Sequence, residues 1–369
     1  MVDKVDNEKN KLKNVIEFYL LANNLKYVTK DNKQSLADQI YGAMILAVAM
    51  NSEYHKTENI GEALKTILFE TLNFYYPNET KECMDKLSKA TTLITDINKC
   101  SIELSDFAFE CTMSELALEY FFENFLLEEE LDTKNCDELY MVAKNYGIVD
   151  RLGTDEVKNY EIFKFYYQNR VLKKKERSGW DSKHWNVSIN RIERISEHIV
   201  GTIALAIALD LEFDFKVDID KVITALCIHE IGEIRIGDIT PFDGITPDEK
   251  KEIEHKAMVE VLGNLKDKDL LLNMLFSFDE QDTFDSKFAH YCDKLEADIQ
   301  AKVYQDMGYQ HSLDEQEGNI VFNSSRVQQM IRDGATTAFD IWYEWDKGIY
   351  TDEPVFTKTL QFVRDNKLK

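Results

Sequence analysis

Proline is nearly missing from this chain of 369 residues, with four in all, and glycine is sparse at fourteen. So few breakers exclude a turn-rich architecture and favour long helices joined by short connections. Alternation with period two is lacking over any useful length, which removes the usual signature of strands. Cysteine occurs six times (Cys83, Cys100, Cys111, Cys136, Cys227, Cys292), never with CxxC spacing, and several sit inside apolar helical patterns. Buried thiols in a reducing compartment are expected, rather than disulfides or a zinc knuckle. No apolar run approaches the roughly 18 residues that suggest a bilayer span, and no basic segment followed by an apolar one opens the chain. A cytoplasmic location without a membrane partner is expected. Positive charge is also in deficit: 44 Lys and Arg against 68 Asp and Glu leave a formal charge of -24. That balance disfavours nucleic acid as a partner. A free nucleotide stays open, because one local basic group can hold one phosphate.

What is present is self-similarity. Ser286-Lys287-Phe288-Ala289-His290-Tyr291-Cys292-Asp293 echoes Ser105-Asp106-Phe107-Ala108-Phe109-Glu110-Cys111-Thr112, and Arg194-Ile195-Ser196-Glu197-His198-Ile199-Val200-Gly201 echoes Ser35-Leu36-Ala37-Asp38-Gln39-Ile40-Tyr41-Gly42. The apolar frame is kept in both, while His198 and Asp293 of the later copy face Gln39 and Thr112 of the earlier one. The expectation is an all-α fold made by tandem duplication: residues 1–165 a degenerate copy without metal ligands, and residues 166–369 the copy that kept its chemistry.

Helical spacing of apolar residues predicts helices over Leu36–Met50, Ile60–Phe74, Ser196–Leu211, Ile219–Glu233, Ile253–Leu265, Phe284–Met307, Val321–Tyr343 and Phe356–Val363. Residues 1 to about 10 are charged and expected to fray. Thr246-Pro247-Asp248-Glu249 reads as a helix start, with a hydroxyl cap and proline in the first turn. The acidic stretch Glu128-Glu129-Glu130 with Asp132 reads as a solvated helix end.

Four residues on three predicted helices form a candidate ligand set for a divalent ion: His198 on one, His229 and Glu230 near the end of a second, and Asp293 on a third. Neutral imidazole and ionised carboxylate are the usual donors where positions must stay open for water and substrate. Glu233, four residues beyond His229, is placed on the same helical face. Asp238 follows Gly237, which permits a sharp turn. So many charges at the end of the apolar run 222–228 would each cost several kcal/mol to bury without a cation.

These segments, with Arg177-Ser178-Gly179-Trp180 before them and Tyr291-Cys292-Asp293-Lys294-Leu295-Glu296-Ala297 after, resemble the HD-domain phosphohydrolases, most closely the bacterial 5'-deoxynucleotidase subgroup. The likeness covers about residues 171–345. It implies that His198, His229, Glu230 and Asp293 hold one divalent metal ion, for which Mn, Co, Mg, Fe, Ni and Zn all stay open. It further implies that Glu233 positions or deprotonates the attacking water, that Asp238 contacts the sugar or assists the leaving oxygen, that Arg177 grips the phosphate, and that Trp180 walls the pocket. Glu230 departs from the family pattern, which has aspartate after the histidine.

The implied reaction is metal-dependent removal of phosphate from (deoxy)nucleoside 5'-monophosphates. A non-catalytic nucleotide-binding or scaffold protein, or a hydrolase of another small phosphate ester, are the alternatives. Glu296 and Asp298 read as a solvated acidic face. Lys173-Lys174-Lys175 reads equally as an attractor for an anionic substrate or an exposed helix end, and His255 and His290 as residues beside the site rather than ligands. His55, His184 and His311 carry no assignment. The earlier copy offers Gln39, Phe69, Glu70 and Thr112 at the ligand positions, so it is expected to act as an intramolecular pseudo-dimer partner, with a homodimer also possible.

Overall fold

The computed structural model describes residues 2–30, 34–89, 102–126, 135–181, 183–189 and 191–369. Cys100 and the acidic stretch from Glu128 to Asp132 lie outside the described residues. Among the described residues the fold is all-α apart from a two-stranded antiparallel hairpin, β1 (Thr29–Lys30) with β2 (Gln34–Ser35), and two isolated bridges.

The N-terminal half runs α1 (Val2–Asn23), a 3-10 turn (Asn24–Tyr27), α2 (Leu36–Tyr54), α3 (Ile60–Tyr75), α4 (Pro77–Lys86), α5 (Ile102–Asn124), α6 (Cys136–Asn145) and α7 (Glu156–Asn169). The C-terminal half continues with α8 (Ile195–Phe213), α9 (Ile219–Ile228), the short α10 (Glu233–Ile236), α11 (Pro247–Leu262), α12 (Lys268–Glu280), α13 (Phe284–Asp306), α14 (Ser325–Arg332), α15 (Ala338–Asp346) and α16 (Pro354–Asp365). Among the described residues no helix is long and apolar enough to cross a membrane, and the described cysteines are free, with Cys111, Cys227 and Cys292 buried.

Helices α2 and α8 sit side by side at the centre. Both are apolar on nearly every face, as a helix packed all round must be, and each is buried along almost its whole length. Their N-termini are locked to one another. Ser35 Oγ donates to Glu197 Oε1 at 2.5 Å and Ser196 Oγ donates to Asp38 Oδ1 at 2.6 Å, while Arg191 bridges Asp38 and Glu197. Asp38 and Glu197 also accept from the backbone N–H of Ser35 and Arg194, closing the first turn of each helix.

Around this pair the packing is reciprocal. Helix α2 packs on α3 and α5 and also on α7, and α8 packs on α9 and α13 and also on α1. Helix α1 of the N-terminal half therefore lies against the central helix of the C-terminal half.

Four expected boundaries differ. Helix α1 extends back to Val2, where fraying was expected. The helix expected over Ile219–Glu233 ends at Ile228, and tight turns precede α10. The helix expected over Val321–Tyr343 is two, because Gly334 takes φ +115° and Thr337 caps a fresh start at α15. Helix α12 had no counterpart in the sequence reading. The helix start at Thr246-Pro247 stands as read, with Thr246 Oγ1 accepting from Glu249 N.

Candidate active site

Three helices of the C-terminal half bring the predicted ligands together. His198 lies one turn into α8, His229 and Glu230 follow the end of α9, and Asp293 is in the middle of α13. One donor atom from each falls within 4.8 Å of all the others. The Nε2 of His198 is 2.9 Å from Asp293 Oδ1 and 3.8 Å from Glu230 Oε1, and the Nε2 of His229 is 3.6 Å and 3.5 Å from the same two oxygens. Donors about 2.0–2.2 Å from one ion stand about 3 to 4 Å apart, so the cluster has the size of one coordination shell.

The imidazoles are oriented for it. His229 Nδ1 lies 2.7 Å from the carbonyl of Leu226, which fixes the proton on that nitrogen and leaves Nε2 facing the cluster, buried and without a hydrogen-bond partner. His198 Nδ1 is 2.5 Å from Glu296 Oε2, which turns its Nε2 to Asp293 Oδ1 at 2.9 Å. An orphaned imidazole nitrogen aimed at two carboxylates fits a divalent cation. Glu230, one methylene longer than the family's aspartate, still reaches both imidazoles.

Electrostatics follow the crowding. Burial works against charge on Glu230, but His229 and Arg177 outweigh it and bring the carboxyl down to about 2. Asp293 lies well below the usual carboxylate range despite burial, chiefly through Lys294, whose Nζ is 2.9 Å from Oδ2. Glu233 goes the other way: burial, then the charges of Glu230 and Asp238, push it well up, with Arg177 only partly compensating. Its Oε2 is buried without a partner.

His229, Glu230 and Asp293 line a cavity of about 610 Å³, with His198 wholly buried beside them. Arg177, Trp180, Glu233 and Asp238 line the same cavity. Glu233 gets there by a different route from the one expected. The chain leaves helical geometry after Ile228, and successive i to i−3 hydrogen bonds (Ile231 to Ile228, Glu233 to Glu230) tighten it so that Glu233 opens α10. Asp238 accepts from Ser178 N at 2.8 Å and its carbonyl accepts from Ser178 Oγ at 2.8 Å, which anchors the Arg177–Trp180 turn. Arg177 Nη1 donates to Glu230 Oε1 at 2.9 Å.

Several lining residues went unread in the sequence. Lys294 adjoins Asp293, a neighbour whose charge was legible but whose direction was not. Trp342 and Trp345 on α15 and Phe242 in the loop after α10 complete an aromatic wall: Trp342 lies 4.8 Å from Trp180 and Trp345 5.5 Å from Phe242, ring to ring. Spacing of three residues on one helix was the available signal for the two tryptophans. His184, without an assignment, is buried and lines the cavity, held by Asp181 and Thr240. His290 lines it as expected of a bystander, brought down to about 4 by burial and by Lys294. His255 pairs with Asp279.

Two acidic and basic readings are corrected. Glu296 and Asp298 are wholly buried, not solvated. Glu296 holds His198, and Asp298 accepts from Tyr350. Lys173 is neither an exposed end nor a substrate attractor, for it is buried against Glu115 and Glu119.

Residues 170–331 match a family model described as an HD domain. This part of the chain is an HD domain. Its curated relatives carry the name 5'-deoxynucleotidase HDDC2: the protein of Danio rerio is 28% identical over 138 residues, 37% of this chain and 66% of its own length. That of Homo sapiens is 26% identical over 168 residues, 43% and 78%, and that of Dictyostelium discoideum 27% over 157 residues, 41% and 79%. The matched residues include His198, His229, Glu230, Asp293 and the Arg177–Trp180 turn, while α15 with its two tryptophans lies beyond them.

Proposed function

We propose that the chain is a metal-dependent phosphohydrolase that removes phosphate from (deoxy)nucleoside 5'-monophosphates, with His198, His229, Glu230 and Asp293 as ligands. The observation that carries this reading is the meeting of those four side chains, three of them lining a cavity also lined by an arginine and by a carboxyl with raised proton affinity. The related 5'-deoxynucleotidases support the substrate class.

A divalent ion held by the four ligands supplies a nucleophilic water at neutral pH and offsets phosphoryl charge. Arg177 offers a planar donor fork to the phosphate oxygens, and Lys294 and Lys250 add positive charge to the same cavity. Glu233 accepts the proton of the attacking water; its unpartnered oxygen is free for that bond, and its raised affinity for protons suits the task. Asp238, anchored through Ser178, contacts the sugar or assists the departing 5' oxygen. The base rests against the wall of Trp180, Trp342 and Trp345. The earlier half, with Gln39, Phe69, Glu70 and Thr112 at the ligand positions, is a duplicated copy that serves as intramolecular partner.

Phosphate release from deoxy- and ribonucleoside monophosphates, sugar phosphates and nucleoside triphosphates, with Mn, Co, Mg, Fe, Ni, Zn or chelator, tests the reading. Metal-dependent turnover of 5'-monophosphates is expected, with Glu233→Gln binding metal yet losing at least about 100-fold in kcat. Nucleotide binding without turnover under every metal supports a non-catalytic binder instead, and preference for another ester moves the substrate class.

A further inference from the structure

One side chain from the N-terminal half reaches the ligand cluster from behind. Lys26, in the 3-10 turn after α1, is buried, with Nζ 2.5 Å from Glu193 Oε1 and 2.7 Å from Glu296 Oε1. Tyr19 OH, on α1, donates to the same Glu296 oxygen at 2.7 Å. The other oxygen of Glu296 holds His198 Nδ1 at 2.5 Å. Glu193 Oε2 in turn accepts from Trp180 Nε1 at 3.1 Å, and its carbonyl accepts from the backbone N–H of Arg177 at 2.9 Å. Lys26 therefore joins two hydrogen-bonded chains, one ending on a ligand imidazole and the other on the turn that faces the phosphate. Gly201 of α8 keeps the space open: a Cβ there would lie 2.3 Å from Glu296 Oε1 and 3.1 Å from Lys26 Nζ.

We propose that Lys26 is a positioning residue for metal binding, so that the N-terminal half completes the site rather than only covering it. The proposal rests on the ligand assignment made above. Carboxylates behind a ligand histidine fix its ring and tautomer. Without the ammonium and the tyrosine hydroxyl, Glu296 faces Glu193 across a buried gap and is free to turn from His198.

The molecule carries its own control. In the other half, Lys173 Nζ lies 2.5 Å from Glu115 Oε1 and Tyr166 OH 3.3 Å from the same atom. The tyrosine again precedes the lysine by seven residues. Glu115 likewise fills the space at a glycine of the central helix, Gly42, whose Cβ would lie 2.6 Å away. The device is repeated, but Gln39 stands where His198 would be.

The test uses the full chain, stripped of metal, as wild type, Lys26→Gln, Tyr19→Phe and Lys173→Gln. Mn(II) affinity is read by electron paramagnetic resonance, and metal-free thermal stability by calorimetry. Lys26→Gln is expected to weaken Mn(II) binding by about 10- to 100-fold and Tyr19→Phe by a smaller factor, whereas Lys173→Gln lowers the metal-free melting temperature and leaves Mn(II) affinity at the wild-type value. If Lys26→Gln does not fold, Tyr19→Phe, which removes one hydrogen bond and no charge, decides alone. Wild-type affinity in both Lys26→Gln and Tyr19→Phe, or an equal loss in Lys173→Gln, overturns the proposal while the ligand assignment stands. Wild type that takes up no divalent ion overturns both.

Discussion

Burial and the neighbouring Arg177 guanidinium oppose charge on His198, yet Glu296 and Asp293 outweigh them and push it up to about 9 in the metal-free protein. A group whose folded pKa is raised contributes stability that is fully present below its unfolded value, near 6.5 for histidine, and is lost as pH rises through the folded value. Metal-free protein should therefore melt at falling temperature between about pH 6.5 and 9, and His198→Gln should show a shallower slope over that window. An equal slope in both, measured by calorimetry in chelator, counts against the imidazolium between two carboxylates. The cluster of His198, His229, Glu230 and Asp293 was legible because each is a residue type with few other reasons to sit in an apolar helix. Glu296 was not, since an acid three residues past a ligand projects either to the rim or inward, and only the lysine that meets it settles which. That lysine is 270 residues away, and no local pattern announces it.

Among the elements, α15 has the clearest consequence for substrate. It packs on α13 and carries Trp342 and Trp345 to the cavity wall from outside the HD match. Stacking a base on an aromatic ring is worth about 1–3 kcal/mol, so Trp342→Ala should raise KM for a nucleoside monophosphate by about tenfold or more and leave KM for a phosphate ester without a base unchanged. A parallel rise for both esters would mean that the tryptophan shapes the metal site instead. The sequence placed α2, α8 and α13 well, because nearly unbroken apolar runs leave little choice. It misplaced the end of α9 and the break between α14 and α15. In both places short-range hydrogen bonds and a single glycine decide the path, and apolar periodicity continues across the interruption.

At the scale of the molecule, the packing of α1 and α2 on α8 makes each half depend on the other. Opening the chain in the loop that holds Gly153 and expressing residues 153–369 alone would bare the face of α8 on which α1 packs, and would leave Glu193 and Glu296 without Lys26. That fragment should be insoluble or lack a cooperative melt, and co-expression with residues 1–152 should restore a soluble complex that binds Mn(II). A fragment that melts cooperatively and binds metal alone would refute this dependence. The echoes between halves were visible in sequence. The docking of α1 on α8 was not, because helical spacing does not say which distant helix an apolar face will meet.

The docking of α1 on α8 also imposes an order on synthesis. Helix α1 leaves the ribosome before α8, which is completed only near Phe213. At about 5–20 residues per second, the apolar face of α1 waits roughly ten to forty seconds for its berth. The ammonium that steadies the metal cluster is thus translated long before any ligand exists, and the nascent chain must be shielded through that interval.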